Sequence, residues 1–225
     1  MSSLLTIVAA VCALLALAGA AYFALCVWAG VGFLKQAKHP SRLEVSPPVS
    51  ILKSLKGLDP HMYAAFRSHC RFDYPEYELL FGASDPHEPA LELVGRLQQE
   101  FTKRQIRVVH TPRSLGLNGK VSTLAQMLPE ASYQHILIND SDIVAPPDYL
   151  RRVMSQFADE RVGMVTSLYR GLAGESLPSR IEALGLSTDF MGGVLVAREM
   201  EGGIRFALGA TMATTKAVLS EIGGL

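Results

Sequence analysis

The chain opens on one unbroken apolar run and then changes character. Leu4 to Leu34 reads LLTIVAAVCALLALAGAAYFALCVWAGVGFL, and no Asp, Glu, Lys or Arg occurs between Met1 and Leu34. A bilayer core takes about 20 apolar helical residues, so the pattern predicts a transmembrane anchor over residues 1–34. A basic, Pro-bearing linker follows over 35–48. Beyond it, short apolar or β-branched runs alternate with helical periodicity. The runs predict strands at Val49–Leu52, Tyr77–Phe81, Ile106–His110, His135–Asn139 and Val162–Tyr169. The intervening periodicity predicts helices at Pro60–Cys70, Glu88–Lys103, Gly119–Leu128 and Asp148–Phe157. Leu91, Val94, Leu97 and Phe101 share one face of the second of these. Val121, Leu124, Ala125 and Leu128 are expected to point inward from the third. A last helix carrying Glu221 runs up to Gly223-Gly224. Such alternation predicts an α/β domain over 49–225 with a mostly parallel sheet. Parallel sheets bind ligands at the carboxyl ends of their strands, so functional residues are sought just after each strand.

Composition narrows the class. The 225 residues are 49% hydrophobic with a formal net charge of +0, which excludes a disordered chain. With 21 basic and 21 acidic residues there is no basic excess, so no nucleic-acid partner is expected. Three Cys, two of them (Cys12, Cys26) inside the apolar run, make no disulfide framework. Cys70 reads as a packed core thiol. The six His show no HxxxH or Cys/His spacing, so no zinc site is expected.

Charge around the anchor gives it a direction. Lys35, Lys38 and Arg42 follow the apolar run, and Tyr22 and Trp28 lie toward its C-terminal end. Positive flanks stay on the cytoplasmic side and aromatic residues collect at the interface. The domain after Lys35 is therefore expected in the cytoplasm, held by a single pass. A cleaved signal peptide normally has a basic start and a shorter apolar core, and neither feature is present. A second apolar stretch, Ser176 to Leu208, is interrupted by Arg180, Glu182, Asp189, Arg198 and Glu199. It reads either as an interfacial face against membrane or lipid, or as core beside the last strand.

Two strand ends deliver acids. Asp85 follows Tyr77–Phe81, and Asp140-Ser141-Asp142 follows His135–Asn139. In extended backbone, residues i and i+2 point the same way, so Asp140 and Asp142 would repel unless a cation joins them. Mg²⁺ or Mn²⁺ is held by one or two carboxylates plus substrate phosphate oxygens. A capped turn uses the same residue types. The loop Ser114-Leu115-Gly116-Leu117-Asn118-Gly119-Lys120 opens a helix and offers backbone N–H groups and a lysine, a setting for a diphosphate. It departs from a Walker A loop at Ser114 and Val121. The turn after the first strand, Lys53-Ser54-Leu55-Lys56-Gly57, lacks a dinucleotide fingerprint. No GxSxG elbow occurs.

The anchor, followed in order by PPVSILKSLKG, CRFDYPEYELLFGASDPHEPA, GLNGKVSTLAQML, ILINDSDIVAPPDYL and LGATMATTKAVLSEIGGL, resembles the ceramide glucosyltransferase family. MLPEASYQHILINDSDI and VGMVTSLYRG are similar to its bacterial hopanoid-biosynthesis branch. The resemblance implies a GT-A fold and a membrane enzyme of the bacterial inner membrane. It implies inverting transfer of a hexose or N-acetylhexosamine from a UDP-sugar, with a divalent metal, to a membrane lipid hydroxyl such as that of ceramide or a hopanoid polyol. Carried over by motif, it implies nucleotide contacts for Asp85, Asn118, Lys120 and Asp140, and metal contacts for Asp140 and Asp142. Gly209-Ala210-Thr211 matches a stretch near the acceptor face. The family's third aspartate, its general base, and a Gln/Arg-x-x-Arg-Trp motif belong beyond Gly223-Gly224, past Leu225. The 225 residues are therefore expected to be either the donor half of such an enzyme or a fragment that binds the nucleotide sugar without turnover.

Overall fold

The computed structural model describes residues 2–37 and 46–225. Most of the predicted linker, with Lys38 and Arg42, lies outside the described residues. The chain divides into two compact units.

The larger unit is built on a six-stranded sheet: β1 (Val49–Ser54), β2 (Tyr77–Ala83), β3 (Gln105–His110), β4 (His135–Asn139), β5 (Met164–Thr166) and β6 (Thr211–Thr215). The spatial order is β3-β2-β1-β4-β6-β5. β3, β2, β1 and β4 pair in parallel, with Val49 opposite both Tyr77 and His135. Their crossovers are α2 (Met62–Cys70), α3 (Ala90–Glu100) and α4 (Gly119–Met127), and α5 (Tyr149–Met154) follows β4. The period of two sorts the strand residues. Ile51, Leu79, Phe81 and Leu137 pack with Phe66, Val94 and Leu97 on one face. Leu52, Leu80, Ile136 and Ile138 pack with Leu124 and Met127 of α4 on the other. Burial on both faces is why the central strands read as continuous apolar runs rather than alternating ones.

Several boundaries shift for physical reasons. α4 buries Ser122, Thr123, Leu124 and Met127, which leaves Val121 exposed rather than inward. The sheet makes this approach possible at Gly82, where a Cβ would fall 2.8 Å from Thr123 Cγ2 and closer still to Met127 Sδ. α5 ends at Met154, and a 3₁₀ turn over Ser155–Ala158 completes the predicted helix. β5 keeps only Met164–Thr166, because only these residues find a partner, in β6. The polar run Thr211-Met212-Ala213-Thr214-Thr215, with no predicted strand, enters the sheet antiparallel to β4. Its buried hydroxyls are matched there: Thr214 Oγ1 donates to the Gly163 carbonyl at 2.8 Å, and Thr211 Oγ1 meets Tyr149 OH at 2.8 Å. After β6, α8 (Lys216–Glu221) is capped by the Thr215 hydroxyl.

The smaller unit joins α1 (Ser2–Ala37) to α6 (Leu177–Gly185) and α7 (Met191–Glu201), the last two linked by a π turn over Leu186–Phe190. Ser176 caps α6 through its side chain, with Pro178 in the first turn. α7 stops at Gly202, whose φ of +68° is the left-handed conformation that closes helices. α7 packs on the C-terminal part of α1. Ala29 of α1 and Met191, Gly192 and Val194 of α7 are buried. A Cβ on Gly192 would lie 3.0 Å from Cys26 Sγ, and one on Gly193 would lie 3.0 Å from Tyr22 OH.

Candidate active site

The carboxyl ends of β1 and β4 carry a layered polar site in the larger unit. Its lower layer is buried. Lys53, the last residue but one of β1, is fully enclosed. Its Nζ donates to Asn139 Oδ1 at 2.9 Å and to the Asp140 carbonyl at 2.7 Å. His69, from the last turn of α2, meets the same Asn139 Oδ1 through Nε2 at 2.7 Å and the Ala65 carbonyl through Nδ1 at 2.9 Å. Asn139 Nδ2 donates to the Ala210 carbonyl at 2.9 Å and to Thr211 Oγ1 at 3.2 Å. Asn139 therefore fastens β1, α2 and β6 to the last residue of β4.

Burial sets the charges in this layer. Loss of hydration pushes the Lys53 pKa down to about 7, against the opposing pull of Asp140 and Asp142. Loss of hydration and the adjacent Lys53 ammonium push His69 down to about 3. Nδ1 also lies 3.3 Å from the Ser68 hydroxyl, so the neutral ring with its proton on Nε2 donates to Asn139 Oδ1 and has a hydroxyl donor within reach of Nδ1. Burial likewise pushes the Cys70 thiol up to about 12, as suits an inert core residue.

The upper layer faces water. Asp140 is half-buried, and its Oδ1 is paired with the Lys120 ammonium. Lys120 Nζ also lies 3.4 Å from the Gly209 carbonyl. Lys120 stands in the first turn of α4, where the helix dipole disfavours a cation, and the Asp140 carboxylate supplies the compensating anion. Asn118 caps this helix, its Oδ1 accepting from Val121 N at 3.2 Å. Asp142 is exposed. The extended backbone expected for Asp140 and Asp142 gives way to a turn, closed by Ile143 N donating to the Asp140 carbonyl at 3.4 Å. The same carbonyl accepts from Lys53 below, so the end of β4 and the turn are held at one atom. Asp85 is exposed at the end of β2, and its Oδ1 accepts from His87 N at 2.8 Å.

Thus β4 and α4 bring Asp140 and Lys120 together, and Gly209-Ala210 reach the same edge through Lys120 and Asn139. Asp85 shares the edge two strands away. Lys53, His69, Asn139, Tyr149 and Thr211 escape a reading of strand ends. One signal was available: a lysine closing the buried run Val49–Leu52 is out of place unless a partner waits for it. Among the described residues, no cluster of three or more His, Cys, Asp or Glu gathers. Two carboxylates are what a hard cation shared with a diphosphate takes from the protein.

The family model described as glycosyl transferase family 21 matches residues 8–225. Ceramide glucosyltransferase 1 of Caenorhabditis elegans is 25% identical over 180 residues, covering 80% of this chain and 38% of that protein. The beta-monoglucosyldiacylglycerol synthase of Trichormus variabilis is 27% identical over 139 residues, covering 60% and 29%. The chain thus spans about two fifths or less of the length of these curated relatives. Among solved structures, the mannosyltransferase PcManGT of Pyrobaculum calidifontis, in complex with GDP-Man and Mn²⁺, gives a TM-score of 0.63 at 21% identity, covering 91% of this chain and 57% of that one. Glucosyl-3-phosphoglycerate synthase of Mycobacterium tuberculosis, in complex with Mn²⁺, UDP and glucosyl-3-phosphoglycerate, gives 0.51 at 18% identity, covering 77% and 58%. At these identities the likeness establishes a shared GT-A fold.

Proposed function

The chain belongs to glycosyl transferase family 21, and from that premise we propose that it binds a UDP-sugar for inverting transfer of a hexose or N-acetylhexosamine to the hydroxyl of a membrane lipid. The observation that carries this reading is the convergence of the Asp140 carboxylate, the Lys120 ammonium and the α4 N-terminus at one sheet edge. A nucleoside diphosphate needs cationic and N–H partners for its phosphates. On donor binding, Lys120 exchanges Asp140 for a diphosphate oxygen, and the first N–H groups of α4 face the same anion. Asp85, with one oxygen held by His87, reaches the nucleoside side. Asp140 and Asp142 would hold Mg²⁺ or Mn²⁺, an ion that two protein carboxylates and phosphate oxygens suit. Such an ion, when bound, offsets the negative charge that builds on a departing diphosphate. The rigid Lys53–Asn139–His69 layer keeps the Asp140 backbone in place, so no reorganisation is needed as charge develops.

The lipid acceptor is supported by the relatives, one named for glucosyl transfer to ceramide and one for making monoglucosyldiacylglycerol, and by α1, whose Ser3–Gln36 stretch is long and apolar enough to cross a membrane. With Lys35 at its C-terminal end, the positive-inside rule puts the sheet in the cytoplasm, at the inner membrane of a bacterium. The test has two parts. UDP should bind the purified chain at least about tenfold more tightly in Mn²⁺ than in EDTA, and equal affinity would sink the metal site. Cells expressing the protein with labelled UDP-sugars should accumulate a labelled glycolipid, and label confined to water-soluble products would remove the lipid acceptor.

A further inference from the structure

The order of the strands singles out one crevice. From β1 the chain steps through β2 to β3 on one side, then returns to lay β4 against the other side of β1. The connections leaving β1 and β4 therefore diverge. Ligands of open α/β sheets bind in the gap that such a reversal opens at the carboxyl ends of the strands. One wall of this gap is the turn after β4, with Asp140 and Asp142. The other is the connection from β1 to α2, residues 55–61. Residues 55–59 of it lie in neither helix nor strand, and Lys56 and Leu58 are exposed there.

What holds this second wall comes from the β2 side. Leu55 N donates to the Gly82 carbonyl at 2.8 Å. Gly57 N donates to Glu88 Oε1, also at 2.8 Å. Gly57 has a φ of +74°, which glycine adopts without steric cost. Among the described residues, no hydrogen bond joins residues 55–58 to the turn after β4. Glu88 stands two residues before Ala90, the start of α3, and its carboxylate is close enough to serve its own helix. The distances decide against that: Oε1 lies 3.4 Å from Ala90 N, a long contact, and 2.8 Å from Gly57 N, a close one. Glu88 is itself anchored. Its N–H donates to the Asp85 carbonyl at 3.1 Å, in the same turn where Asp85 Oδ1 accepts from His87 N. Asp85, Glu88 and the loop after β1 therefore form one frame.

We propose that Glu88 is a positioning residue for the donor: its carboxylate tethers the loop after β1 to the β2 side and so holds the crevice between β1 and β4 open for the nucleoside. The role deepens, and rests on, the donor site proposed above. Glu88 acts through Gly57 and makes no contact with the nucleotide in this role. A carboxylate accepting from a backbone N–H is roughly twice as strong as a neutral pair, which suits a single bond that must hold a loop. A wall ordered before the ligand arrives spares binding the entropy of ordering it.

Three versions of the full chain test this: the wild type, Glu88→Ala, which removes the acceptor, and Glu88→Gln, which keeps a carbonyl oxygen at Oε1. UDP affinity in Mn²⁺ is measured by calorimetric titration, and loop opening by hydrogen exchange at the amides of residues 56–58. Glu88→Ala should weaken UDP about tenfold and speed exchange at these amides at least about tenfold. Glu88→Gln should bring both to within about threefold of the wild type, since the tether survives with a neutral acceptor. Faster exchange with UDP affinity unchanged would overturn the proposal and leave Glu88 a purely structural tie. Weaker UDP binding with exchange unchanged would overturn it too, as would a loss in Glu88→Gln equal to that in Glu88→Ala, because charge rather than the tether would then matter. In each of these cases the wild type still binds UDP and the donor site stands. A wild-type chain that binds no UDP in Mn²⁺ would remove the donor site and the role of Glu88 together.

Discussion

Two carboxylates sit at opposite ends of the same sheet and could hardly be treated more differently. Glu78, near the start of β2, is 1% exposed. It accepts from Ser50 Oγ at 2.6 Å, Ser132 N at 2.6 Å and Arg107 Nη2 at 2.8 Å. Burial alone would raise its pKa, but these donors outweigh burial and hold it below the usual carboxylate range. Asp140, just past β4, has a side chain 35% exposed and, among the described residues, a single side-chain partner, Lys120. Glu78 has no capacity left for a ligand, and it ties β1, β2 and the approach to β4 together. Asp140 keeps most of its lone pairs free, beside a lysine that can change partners. In a parallel sheet the amino ends are where connections arrive and need fastening. The carboxyl ends open toward loops and helix N-termini, where a ligand can enter.

The comparison breaks most sharply under mutation. Glu78→Ala should cost about 3 kcal/mol of stability, because the donors around it lose their acceptor in a buried setting. Chemical denaturation measures this, and UDP affinity per folded molecule should stay unchanged. A cost below about 1 kcal/mol would mean that water replaces the carboxylate and the contrast is false.

The next effect concerns the buried layer beneath Asp140, which shares the character of Glu78. Native His69 is held neutral down to about pH 3, whereas the unfolded ring takes up a proton near 6.5. The unfolded state therefore binds more protons below 6.5, and stability is lost as pH falls from 6.5 toward 3. Between pH 6.5 and 5 this one group contributes at most about 2 kcal/mol. Lys53, with a native pKa of about 7, is mostly protonated in both states over that interval and adds little to the slope. In His69→Gln the fall in Tm over the same interval should flatten. An unchanged slope would assign the acid sensitivity elsewhere.

Asp142→Asn should weaken UDP binding in Mn²⁺ about tenfold, or 1.4 kcal/mol, with Tm moving by less than about 2 °C since the residue is exposed. Calorimetric titration with Mn²⁺ and with EDTA separates a metal role from a direct one. A loss seen equally in EDTA would remove Asp142 from the metal site. The smallest effect is expected at Lys120. Lys120→Gln removes a point charge from the diphosphate but also frees Asp140, so a net loss of about threefold in UDP affinity is expected. The loss should shrink at high salt, and a salt-independent loss would indicate a packing defect at α4.

Local patterning determined a large share of this molecule. The charge-free run to Leu34 dictated a long apolar helix, because nothing in it can interrupt one. The buried runs at β1, β2 and β4 and the helical periods between them dictated a parallel α/β sheet. That in turn placed Asp85 and Asp140 on one edge. Asn118 before Gly119-Lys120 fixed the start of α4, since a capping side chain and the helix it caps are adjacent in the chain. Tertiary structure alone decided the rest. Lys53 and His69 lie 86 and 70 residues before Asn139, and no local period reports that one amide will satisfy a lysine, a histidine and the Ala210 carbonyl together. β6 is polar by composition and became a central strand because β4 offered a free edge and its own hydroxyls found partners. Val121 turned outward because the contact at Gly82 selected Thr123 and Met127 instead. The pairing of α7 with α1 depended on glycines meeting Cys26 and Tyr22 across more than 160 residues of chain. Sequence periodicity records which face of an element is apolar. Only packing and hydrogen-bond satisfaction between distant elements decide what that face meets.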